Sequence, residues 1–208
     1  LKKTILQMTM FAALLGLVCG RSFLPESYLP LRAGQTWTYQ GRVSALQVNG
    51  GEERDGCRYF TLQFLDSAGS VLSKEIYFHK GNQIYWEAYQ PVVPLFPAIR
   101  FDPPIPIGPF SERPGDKKMM QLSEMRSDGA SVPVRITLQI EDAGAMNIGG
   151  ILYKDCIKQR MEYVYLDQAA TPYFAGNHVM WFARGTGIVR FSLPSGEGRL
   201  VRTTFSPS

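Results

Sequence analysis

The sequence predicts a mainly β protein: a single antiparallel curved sheet or half-barrel with a proline-rich crossing loop. Apolar and polar residues alternate with period two in segment after segment, most clearly at Val132, Val134, Ile136, Leu138 and Ile140. Turn signals recur roughly every ten residues, the spacing of hairpins in an all-β meander. No segment carries a convincing helical stripe, although residues 111–125 leave room for a helix. With 45% hydrophobic and 19% charged residues the chain has the composition of a globular protein, not a disordered one. It divides into a signal segment (1–20), a linker or lead-in segment (21–34) and one β-rich domain (35–208).

The signal segment begins with Lys2 and Lys3, continues through an apolar run over 5–18 and ends in small residues at Gly20. The run is shorter than the roughly 20 apolar residues a membrane span needs. Cys19 stands where a lipidated cysteine would stand, within Leu17-Val18-Cys19-Gly20. Val18 is bulky where a small residue is preferred, so simple cleavage after Gly20 is the rival. Residues 21–34 hold Pro25, Pro30 and Gly34 and read as an extended segment docking onto the domain. Formal charge is +4, but removal of residues 1–20 leaves 20 basic and 18 acidic side chains, a net of +2. That is too weak and scattered for a nucleic-acid footprint.

The first strand is read from Trp37, Tyr39 and Val43, which alternate with polar neighbours, and Asn49-Gly50-Gly51 is read as a turn. Strands are expected over 57–66, 71–79 and 83–89, joined by turns at Ala68-Gly69 and Gly81-Asn82. Residues 91–114 then hold eight of the fourteen prolines. Proline lacks the N–H a ladder needs, so this stretch reads as a long crossing with at most a short edge strand near Ile99. Phe96, Phe101, Ile105, Ile107 and Phe110 make the crossing apolar. It is either a flap closing the core or a lid over a ligand groove. Strands resume over 119–125 and 132–140. The Gly149-Gly150 turn leads into a long strand over 151–165, and the last strands are expected over 179–183, 189–193 and 199–205.

Cys57 and Cys156 are an even pair in an exported chain, which permits a disulfide. By alternation Cys57 falls opposite Phe60, Leu62 and Phe64, and Cys156 shares a face with Lys158, Arg160 and Glu162. Two thiols on polar faces pair if their strands are neighbours; otherwise both stay free.

Three passages resemble a group of poorly characterised bacterial secreted proteins and lipoproteins. They are 28–39, with its Tyr-x-Pro-Leu-x-x-Gly-x-x-Trp-x-Tyr pattern; 150–158, with Tyr153 one place off the group's aromatic position; and 181–190, which runs Trp181-Phe182-Ala183-Arg184-Gly185-Thr186-Gly187. The resemblance implies an envelope location and a β-rich fold akin to the half-barrels of lipoprotein-carrier proteins. Read as physics, Trp37 and Tyr39 enter the core as the first strand begins, Trp181 has a structural role, and Gly185 and Gly187 serve a tight connection.

No catalytic pattern stands out. There is no Gly-x-Ser-x-Gly elbow, no metal-ligand spacing and no dinucleotide loop, and no cofactor is expected. His79 and His178 lie at strand ends and read as solvated. The expectation is a non-enzymatic envelope protein, anchored through Cys19 or periplasmic. It binds either a hydrophobic ligand or lipid, or, as a structural and assembly protein, other envelope proteins without a small ligand.

Overall fold

The computed structural model describes residues 28–92, 96–107, 115, 117–193 and 196–204. Cys19, Phe110 and the signal segment lie outside these residues. The chain forms twelve antiparallel strands: β1 (Thr36–Gly41), β2 (Ala45–Arg54), β3 (Cys57–Leu65), β4 (Val71–Lys80), β5 (Gln83–Pro91), β6 (Ile99–Pro106), β7 (Lys117–Arg126), β8 (Ser131–Ile148), β9 (Ile151–Tyr165), β10 (Gly176–Ala183), β11 (Gly187–Leu193) and β12 (Gly196–Thr203). Each pairs with the next, and β1 pairs with β12, so the sheet closes into a barrel. The expectation of a mainly β fold holds; the open half-barrel is corrected to a closed one. Closure rests on register between strands more than 150 residues apart, with Trp37 opposite Thr203 and Gln40 opposite Arg199.

Two strands depart from their sequence signals. Asn49-Gly50-Gly51 does not turn the chain; it lies inside β2 as a bulge where the register with β3 shifts between Gly50 and Glu52. The turn comes at Asp55-Gly56, both at positive φ (51° and 71°), the pattern of a two-residue primed hairpin. The proline-rich crossing is in part a full barrel strand. β6 pairs with β5 at Ile99, Arg100, Ile105 and Pro106, and with β7 from Ile99 to Asp102. Pro103 and Pro104 fall in the unpaired stretch between, where the missing N–H forfeits no ladder bond. Of residues 111–125, left open to a helix, those from Lys117 on belong to strand β7, and 111–114 and 116 lie outside the described residues.

The alternation sorts the two faces. Val132, Val134, Ile136, Leu138 and Ile140 point inward and are buried, while Arg135, Thr137, Gln139 and Glu141 point outward. On the outside Lys158 meets Glu141 at 2.7 Å, with Arg160 at 3.7 Å. This is the reverse of the apolar-out pattern of a lipid-embedded barrel. Among the described residues no helix is long and apolar enough to cross a membrane.

In an up-and-down barrel, alternate turns gather at opposite ends. One end collects the β2–β3, β4–β5, β8–β9 and β10–β11 turns, and it is plugged. Tyr28, Leu29 and Leu31 are buried there, so the lead-in segment contributes to the core from residue 28 onward. Arg184 lies over the Tyr28 ring at 5.5 Å. The Trp37 indole donates to the Thr186 carbonyl (2.6 Å), and the Tyr39 hydroxyl donates to the Ile188 carbonyl (2.8 Å). The first and third sequence motifs are thus the two halves of one clasp. The long β8–β9 hairpin bends at two register shifts around Gly144. Its tip reaches β12, where Gly149 approaches the Leu200 carbonyl.

The expected disulfide does not form. Cys57 begins β3 and Cys156 lies in β9; these strands are not neighbours, and both residues are free thiols. The polar-face placement of Cys156 fails because the β8–β9 bulges and the positive φ of Asp155 (52°) break the alternation. Cys156 is buried, with its thiol donating to the Tyr153 carbonyl. Burial also pushes that thiol's pKa up.

Candidate functional site

Barrel width grows with strand number. Eight strands leave an interior that side chains fill, and wider barrels leave space. Here twelve strands leave a cavity of about 400 Å³ inside the barrel, open toward the end opposite the plug. That volume lies within the usual range of small-molecule sites, roughly 300–1,000 Å³. Its mouth is formed by Arg42, Val43, Leu72, Pro91, Phe96 and Pro97, and its walls by Leu46, Leu62, Phe64, Trp86, Met161 and Phe191.

Four of the five residues expected in the flap are described, and they divide between core and rim. Phe101, Ile105 and Ile107 are buried; the first two lie on β6 and Ile107 follows it, lining the cavity. Phe96 stands at the mouth, 49% exposed, and packs edge-on to Tyr173 at 5.3 Å. The described residues of the segment are therefore neither a simple flap nor a detached lid: they form one stave of the barrel with an apolar lip.

The other side of the mouth is the 166–175 connection between β9 and β10. A buried polar cluster, which sequence reasoning missed, pins it down. Glu124 is fully buried on β7 and accepts from Arg126 Nε (3.0 Å) and Nη2 (2.7 Å), and from the hydroxyls of Tyr163 and Tyr165 (2.8 Å for the latter). Arg126 also donates to the Thr171 carbonyl (2.8 Å) and lies over the Tyr173 ring at 4.6 Å. The Tyr165 hydroxyl accepts from the backbone N–H groups of Tyr173 and Phe174 (3.0 and 3.2 Å). Held this way, the Phe174 ring sits among Trp86, Tyr89, Phe101 and Tyr163. The alternation in β7 and β9 was the available signal: Glu124 shares its face with Leu122, and Tyr163 shares its face with Met161.

Few polar groups face the cavity. Ser73, Glu75 and Tyr77 alternate along the inner face of β4, and Gln159 and His178 come from β9 and β10. The Tyr77 hydroxyl donates to Glu75 Oε2. The surface Glu75 keeps is cavity surface, and desolvation raises its pKa from 4.5 to about 7 against the opposing effect of the Tyr77 bond. Gln159 is 1% exposed; its Nε2 donates to the Ile107 carbonyl, and its Oε1 has no hydrogen-bond partner within the protein. His178, expected to be solvated, is buried, with Nε2 2.8 Å from the Phe174 carbonyl. Burial lowers its pKa, so the ring is neutral near pH 7. Nε2 then carries the proton donated to that carbonyl, and Nδ1 is left an acceptor. His79 is half-buried on β4, its ring against Phe60 at 5.1 Å.

Of the motif passages, Ile188 lines the cavity; Trp37, Tyr39, Trp181, Gly185 and Gly187 do not. Trp37, Tyr39 and Gly187 belong to the clasp beneath it, and Gly185 takes a positive φ (73°) in the β10–β11 turn. Trp181 is half-buried, with Arg190 over its ring at 4.7 Å.

No family model and no curated protein matches this chain. Two solved structures are similar. One is a candidate lipoprotein from Parabacteroides distasonis ATCC 8503, with 10% identity and a TM-score of 0.51 over 86% of this chain and 99% of the other. The other is a candidate exported protein with a YmcC-like fold from Bacteroides fragilis NCTC 9343, with 14% identity and a TM-score of 0.47 over the same shares. At these identities the likeness concerns the fold.

Proposed function

We propose that the protein is an exported, non-enzymatic component of the bacterial cell envelope whose barrel holds a hydrophobic ligand or lipid. One observation carries this reading: an apolar cavity of about 400 Å³ opens at one end of a barrel whose other end is plugged. A protein that only scaffolds has no need of an interior void, because each unfilled volume forfeits packing. The signal segment and the three motifs of the secreted-protein group favour export. Lipidation at Cys19 would tether the chain to a membrane, and cleavage after Gly20 would leave it in the periplasm. That the similar Parabacteroides distasonis protein is a candidate lipoprotein agrees with the first.

A second reading, an assembly protein that docks on envelope partners, draws on the exposed Ile151, Leu152 and Val201 around the β8–β9 hairpin and β12. The two readings separate in solution. The neutral fluorescent hydrophobe N-phenyl-1-naphthylamine should bind the wild-type protein saturably. Leu62→Trp, which puts an indole into the cavity, should weaken that binding on the order of tenfold or more. Absence of saturable binding to wild type, or equal binding by the filled variant, would remove the ligand-binding reading and leave assembly.

A further inference from the structure

Among the described lining residues Glu75 is the only one that bears a carboxyl, in a cavity that is otherwise largely apolar. Glu75 receives the Tyr77 hydroxyl and has no ion-pair partner among the described residues. Gln159 lines the same cavity; its amide N–H is spent on the Ile107 carbonyl, and its Oε1 is buried without a partner within the protein. His178 spends its N–H on the Phe174 carbonyl. A buried carboxylate without a cation is costlier than a neutral polar group in the same place, so Glu75 asks for a ligand that supplies hydrogens and positive charge.

Resting on the ligand-binding reading above, we infer that the cavity takes an amphiphile headed by a primary amine, its ammonium on Glu75 and its alkyl chain toward the Phe96 mouth.

The geometry sets that orientation. Glu75 and Tyr77 stand partway down β4, and Gln159 lies mid-strand on β9, next to Ile107 just past the deep end of β6. The apolar lip of Phe96, Pro97 and Leu72 surrounds the exit. A fatty acid would place a second carboxyl beside Glu75, and two close carboxylates cannot both ionise cheaply. An alkane satisfies no acceptor. An ammonium brings three donors and neutralises the carboxylate it meets. The titratable groups facing Glu75 are Tyr77 on its own strand and Tyr89 on β5, with His178 on β10 lining the cavity as well. Arg42 stands exposed at the mouth. Desolvation raises the Glu75 pKa, the cost of ionising a carboxyl that has no cation beside it.

The test uses protein purified as the cell processes it, loaded with N-phenyl-1-naphthylamine. Displacement is measured with dodecylamine, dodecanoate and dodecane, each below its aggregation concentration, at pH 7.5. Dodecylamine should displace the probe at concentrations on the order of tenfold lower than dodecanoate. Glu75→Gln, which keeps the shape and removes the charge, should erase that preference, with displacement in each protein referred to its own affinity for the probe. Equal displacement by amine and carboxylate in the wild type, a comparison that needs no variant, would overturn the amine assignment and leave the cavity reading standing. So would a preference that survives Glu75→Gln. Failure of the probe to bind at all would overturn both.

Discussion

Gly187 shows how tightly single positions are held. Its φ of +100° disfavours any side chain, and a Cβ there would lie 2.8 Å from the Trp37 indole. Gly187→Ala should therefore destabilise the protein by about 1–3 kcal/mol, through backbone strain and overpacking together. A urea midpoint lowered without a change in slope would show it; an unchanged midpoint would mean the clasp bears no load. Glu75 makes the opposite kind of statement. Its folded pKa of about 7 stands above the ordinary 4.5. Below pH 4.5 the carboxyl is protonated in both folded and unfolded chains. Between 4.5 and 7 the unfolded chain ionises first, so stability falls as pH rises, by at most about 3 kcal/mol. Glu75→Gln should flatten that slope and leave the variant more stable than wild type at pH 8, read by thermal melts across the range. A parallel pH profile for the two proteins would contradict it.

At the scale of elements, the 166–175 connection is the piece whose order depends on side chains rather than on a ladder. Tyr165 accepts from two backbone N–H groups there and donates to Glu124. Tyr165→Phe leaves those groups without their acceptor and should cost about 1–3 kcal/mol. Hydrogen exchange should quicken at Tyr173 and Phe174 while strands β2 to β4 keep their protection; uniform loss across the barrel would mean the cluster supports the whole fold instead. Elements were legible in the sequence where turn chemistry had one meaning. Gly149-Gly150 bounded the strand that became β9 at Ile151 and Tyr165. Asn49-Gly50-Gly51 misled because positive-φ residues serve a bulge as well as a turn, and β2 was hidden by it. The β6 prolines misled because only a long-range register reveals which N–H groups a ladder leaves unused.

At the scale of the whole molecule, alternation told which residues face inward but not what they meet. Closure depends on β1 finding β12, and nothing local to Trp37 or Thr203 announces that pairing. The open half-barrel and the closed barrel share one sequence pattern and differ in strand number and in that single seam. The cavity followed the same limit: Glu75, Gln159 and His178 lie far apart in sequence, and His178 read as solvated because its burial depends on the loop folded over it. The disulfide expectation failed for the same reason, since strand adjacency was the missing fact. The central claim is that the barrel holds a ligand, and native mass spectrometry of protein taken from envelope fractions tests it most directly. The account predicts a species heavier than the processed chain by one small amphiphile, released by collisional activation or solvent extraction, unlike any lipid joined covalently at Cys19. A bare chain mass that also fails to take up added hydrophobe would contradict it.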